Sequence, residues 1–160
     1  MVIFKDGNRK IVDIYDVVAT REEFYNYLLG VEEKESERII ISNHIFNIKN
    51  VIELDQILEI TNEDREKLDL MVFQCPEFAI NKIDDITVEL TPVGVKLFKL
   101  WIHTRPKPYE ITGNLYKFKG GYYHLLIYFY KFASEAKIIS PKETRDFFAS
   151  KFKEAYENYK

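Results

Sequence analysis

The chain has a single cysteine among its 160 residues, Cys75. That excludes an intrachain disulfide and any cysteine-rich zinc site, and it fits a reducing compartment with Cys75 as a small buried apolar side chain. No apolar run approaches the roughly 18–20 residues of a membrane span, and the opening MVIFKDGNRK lacks the layout of a signal peptide. No membrane association and a cytoplasmic location are expected. A strong basic excess is also missing: the net charge is −3 and the pI near 5.7, which argues against a generic polyanion binder. There is no GxxxxGK[ST], GxGxxG or HExxH, and His44, His103 and His124 lie far apart in sequence. No catalytic residue, metal or cofactor is expected, and the chain does not read as an enzyme.

What is present is apolar and aromatic surface, with 46% hydrophobic and 15% aromatic residues, enough for real cores. Charge is unevenly placed. Residues 1–60 hold 7 basic against 12 acidic groups, while 81–160 hold 14 against 9. An acidic front half joins a basic back half.

Residues 1–60 read as short strands at 2–5, 11–18, 24–31, 38–42 and 51–54, separated by DGN, by the polar turn EEKESE and by asparagines. Such a series suggests a small barrel. Residues 61–84 form a helical connector: Thr61 or Asn62 caps it, Glu63 and Asp64 favour its positive end, and Pro76 stops it. Residues 85–160 read as strand, helix, strand, strand, helix, strand, helix. Thr91 and Pro92 start the first helix, which is expected to bury Val93, Leu97 and Leu100 or Trp101. A hairpin turns about Gly113 and Asn114, and an aromatic helix runs through Leu125, Leu126, Phe129 and Phe132. Ser140, Pro141 and Glu143 read as a capping box before a last helix with Phe147, Phe148, Phe152, Ala155 and Tyr156 on one face. The order βαββαβ up to residue 139 is the ferredoxin-like arrangement.

Three segments carry a likeness to a known family: ITVELTP at 86–92, KFASEAKIISPKETR at 131–145 and KEAYENY at 153–159. In order and spacing the chain resembles the WYL family, in which a small SH3/Sm-like β-barrel precedes a C-terminal extension of ferredoxin-like topology. The resemblance implies an α+β fold with a WYL-like barrel at 1–60 and the ferredoxin-like extension, with its C-terminal helix, at 85–160. The family's Trp-Tyr-Leu strand falls on Asn26, Tyr27 and Leu28, so the tryptophan is absent. Its second signature falls on IISNHI at 40–45, which puts Ile41 and His44 where the family carries arginines. Histidine at neutral pH mostly lacks arginine's permanent bidentate charge.

From the resemblance, the chain is expected to be a ligand-sensing and oligomerisation module of a bacterial transcriptional regulator, binding a nucleic-acid or nucleotide-like effector as a homodimer. A helix-turn-helix usually precedes the pair, and none is read in this chain. The ligand-binding candidates are His44, Tyr27, Tyr25, Arg38 and Lys49. A second set, Arg105, Lys107, Lys117 and Lys119, sits in a basic-aromatic stretch with Tyr109, Tyr116, Phe118, Tyr122 and Tyr123, a composition suited to nucleic-acid binding. The same string arises in a hairpin whose aromatics face a core and whose lysines face water. A structural adaptor with a degenerate pocket, mediating homodimerisation, is the alternative from a different class.

Overall fold

The computed structural model describes residues 1–20, 25–55 and 59–160; the start of the strand expected at 24–31 lies outside them. Among the described residues the fold is α+β, with four α-helices and three antiparallel sheets. The chain divides into two compact units, Met1–Asn81 and Lys82–Lys160. No helix is long and apolar enough to cross a membrane.

In the first unit β1 (Val2–Phe4) lies between β2 (Arg9–Lys10) and β6 (Ile48–Val51). A second sheet is the meander β3 (Val12–Ala19), β4 (Asn26–Lys34) and β5 (Glu37–His44). The EEKESE turn closes the β4–β5 hairpin, with Glu35 and Ser36 at positive φ. The last strand expected, 51–54, forms earlier, at Ile48–Val51, because Ile3 and Val2 of β1 pair with Asn50 and Val51.

Strand β4 is buried on both faces. Leu28 joins Val2, Phe4, Val12 and Ile41 in one core, and alternation turns Leu29 and Val31 with Ile40 the other way. There α1 (Asn62–Gln74) packs on β4 and β5 with Leu68 and Met71 buried. Gly30 is required in this strand: a Cβ there would sit 2.4 Å from the Asp13 carbonyl oxygen.

Helix α1 starts at a capping box in which the Thr61 hydroxyl accepts from the Asp64 amide and the Asp64 carboxylate accepts from the Thr61 amide. The guanidinium of Arg38 donates to the same carboxylate at 2.6 Å and to the Glu59 carbonyl. Burial pushes the Asp64 carboxyl up, but the Arg38 and Thr61 hydrogen bonds outweigh it and hold it below its ordinary value.

The second unit is one sheet with helices. Its elements are β7 (Ile83–Leu90), α2 (Pro92–Leu100), β8 (Pro108–Thr112), β9 (Leu115–Gly121), α3 (Tyr122–Tyr130), β10 (Ala136–Ser140) and α4 (Lys142–Asn158). The strand order is β10-β7-β9-β8, all neighbours antiparallel. Ile86, Val88, Leu90, Tyr116, Phe118 and Ile138 face a core completed by Phe98, Leu125, Leu126, Tyr128, Phe129, Phe132 and Phe148. The rings meet mostly edge-on or tilted, as their quadrupoles favour.

Three details differ from the sequence reading. Of the α2 residues expected inside, Leu97 and Trp101 pack partly buried against the core, but Val93 and Leu100 are 51% and 71% exposed, and the fully buried positions are Gly94 and Phe98. A Cβ on Gly94 would meet the Glu135 carbonyl oxygen at 2.2 Å, so this close approach selects the inward face. The capping box expected at 140–143 is absent: Ser140 still pairs with Thr87 in β10, so the cap position falls on Pro141, which supplies no side-chain bond. On α4, Thr144 and Phe148 are buried, Phe152 packs partly against the core, and Phe147, Ala155 and Tyr156 are exposed.

Candidate functional site

The end of the β4–β5 hairpin brings three of the expected ligand residues together. Tyr27 and His44 are direct cross-strand partners, with ring centroids 5.2 Å apart. Tyr25, just before β4, sets its ring edge-on to His44 at 4.5 Å. A 3-10 turn at Ile45–Asn47 follows β5 and returns Phe46 to within 6.2 Å of the His44 ring. His44 is therefore the hub of three rings.

The histidine is fixed by more than packing. Its Nδ1 accepts a hydrogen bond from the Phe46 amide at 3.2 Å, which caps the 3-10 turn and leaves Nε2 as the nitrogen that carries the proton in the neutral ring. Tyr25 and Phe46 remain 52% and 69% exposed. Large rings that contact one another and still face water form a platform for another flat, apolar or π-bearing group. One cation accompanies them: Lys5 Nζ lies 3.7 Å from the centroid of the Phe46 ring.

The remaining ligand candidates are elsewhere. Arg38 is committed to Asp64 and Glu59 at the start of α1, and Lys49 is exposed on β6 and takes part in none of the ring contacts. Sequence reading missed Phe46 and Lys5. The available signal was that Phe46 follows two residues after His44, so that one tight turn suffices to return it.

The second candidate set does not form a single cluster of free cations. Arg105 donates to the carbonyls of Phe98 and Lys99 at the end of α2 and lies over the Phe98 ring. Lys117 is held by both carboxylate oxygens of Glu110 at 2.9 Å, a bond that raises the lysine's pKa and lowers the glutamate's. Lys107 precedes β8 and Lys119 is exposed on β9, each with interactions of its own. Tyr116 and Phe118 are core residues, whereas Tyr109 and Tyr123 are exposed.

No family model and no curated protein matches the sequence. Among solved structures, the chain is similar to one described as a CRISPR Cas-related protein, with a TM-score of 0.67 and 19% identity. The match covers 96% of this chain and 44% of that one, so the chain spans less than half the length of its neighbour. At this identity the likeness shows a common fold.

Proposed function

We propose that this chain is a WYL-like ligand-sensing and oligomerisation module of a bacterial transcriptional regulator or defence-associated protein, located in the cytoplasm. It binds a nucleic-acid or nucleotide-like effector and performs no chemistry. The observation that carries this reading is the exposed ring cluster about His44, at the strand end where the family resemblance puts its ligand. The two three-stranded sheets of the first unit support the SH3/Sm-like barrel, and the second unit's strand order supports the ferredoxin-like extension. The likeness to a CRISPR Cas-related structure is compatible with a role in nucleic-acid-linked defence.

In this reading the effector stacks on Tyr25, Phe46 and His44, with Lys5 supplying local positive charge. With Ile41 in place of a family arginine, stacking contributes more of the affinity than fixed bidentate charge does. Binding favours one dimer geometry over another and so signals to a partner domain. Fluorescence anisotropy with labelled single-stranded oligonucleotides at low and moderate salt tests it. Salt-sensitive binding that weakens in Tyr25→Ala/Phe46→Ala is expected; no binding at either salt concentration overturns the nucleic-acid reading.

The adaptor reading has its own support in Ile14 and Val17, exposed on the edge strand β3. Light scattering separates the two: a stable dimer indifferent to every nucleotide favours the adaptor.

A further inference from the structure

The second unit contains a groove of about 840 Å³, within the size range of small-molecule sites. It is lined by the end of β7, the first two turns of α2, the Gly113-Asn114 hairpin turn and β10. Three of its lining residues are lysines: Lys96 and Lys99, one helical turn apart on α2, and Lys137 on β10. None of the three has an ion-pair partner among the described residues. Elsewhere in the molecule Lys10, Lys67, Lys82, Lys117 and Lys151 each hold a carboxylate within 3.1 Å.

One lining residue is acidic, Glu89, and both it and the adjacent Glu135 are already bound by neutral donors. Glu89, the cross-strand partner of Lys137, accepts from the Asn114 side-chain amide at 3.2 Å. Glu135 accepts from the Thr91 and Ser134 hydroxyls. The wall itself is fixed, since the Leu90 amide donates to the Asn114 carbonyl at 2.9 Å and the Thr91 hydroxyl caps α2 at Gly94. Leu90, Pro92 and Val95 add apolar surface between the cations.

We infer that this groove is a second binding site, for a phosphate-bearing ligand with a flat or apolar body, that is, a nucleotide or the phosphorylated end of a nucleic acid. Three unpartnered ammonium groups around one concavity repel one another, and a polyanion removes that repulsion while its body covers the apolar strip. The site lies wholly in the second unit and requires nothing of the His44 ring cluster.

The test uses the full chain with tripolyphosphate, ATP and a 5′-phosphorylated single-stranded oligonucleotide, read by calorimetry and by anisotropy across salt concentrations. Lys96→Glu/Lys99→Glu is expected to weaken each probe that binds by roughly tenfold or more and to lower the salt slope for the oligonucleotide. Lys142→Glu/Lys153→Glu on α4, with the same change in net charge, is expected to leave affinity nearly unchanged. Tyr25→Ala/Phe46→Ala is expected to leave tripolyphosphate binding intact, which separates failure of this site from failure of the ring cluster. ATP binding without a gain for the oligonucleotide assigns a free nucleotide; tighter oligonucleotide binding assigns nucleic acid. The inference is overturned if no probe binds, if the α2 and α4 variants bind alike, or if the ring variants abolish tripolyphosphate binding. Because both lysines of the α2 variant are exposed, an unchanged thermal transition is the expected folding control.

Discussion

The two units use aromatic side chains in opposite ways. In the second, Phe98, Phe118, Tyr128, Phe129 and Phe132 are packed ring on ring inside the core. In the first, the core is aliphatic apart from Phe4, and the rings of Tyr25, His44 and Phe46 gather where water reaches them. Charge follows the same division: residues 1–81 hold 9 basic and 17 acidic groups, residues 82–160 hold 14 and 9. Aromatic content alone therefore does not locate a binding surface; only rings that no core consumes are left to face a ligand.

The largest expected effect comes from breaking the second core. Phe129→Ala removes a fully buried ring and should cost about 3–5 kcal/mol. Trp101, the chain's single tryptophan, sits in that unit with its ring 5.1 Å from Phe132, so its fluorescence in a denaturant titration reads this unit and should show the loss.

A smaller effect should appear in the first unit. Arg38→Ala leaves the buried Asp64 without its charged partner and should cost about 1.5–3 kcal/mol, seen by circular dichroism with the Trp101 transition unmoved. The folded-state pKa of Asp64 is lowered, so its contribution is present above the unfolded value and is lost as pH falls through the folded one. Unfolding of the wild type below about pH 4 should show this acid-sensitive share, and Asp64→Asn should lack it.

The smallest effect on stability sharpens the contrast most. Phe46→Ala removes an exposed ring, and its thermal transition should correspond to a change within about 0.5 kcal/mol. Effector binding should nevertheless weaken by about 1–3 kcal/mol, the worth of one stacked base. Equal losses in stability and binding would instead make the ring part of the core.

Legibility in the sequence followed how local the cause was. The caps at Thr61 and Thr91, the stop at Pro76 and the turn at Gly113, with φ of 62°, depend on neighbours a few residues away, and all are present. The inward face of α2 was legible only in part, at Leu97 and Trp101, because Val93, Val95, Leu97, Phe98 and Leu100 place apolar side chains around most of the helix. What selects the face is Gly94 against the Glu135 carbonyl, a contact across 41 positions. In the ring cluster, His44, Tyr27 and Tyr25 were named together from the sequence, and the structure does bring them into contact. Phe46 and Lys5 were not, since a return turn and a contact from β1's end bring them in. The groove lysines lie on two elements whose proximity only the sheet order creates.

One carboxylate oxygen has a wider consequence. Asp64 Oδ2 receives the Thr61 amide and hydroxyl together with Nε and Nη2 of Arg38. A helix start is ordinarily a local nucleation event, but here its cap is completed by a side chain from strand β5. The first turn of α1 is thus held against fraying while β5 stays in place, and the two should open as one cooperative unit in hydrogen exchange.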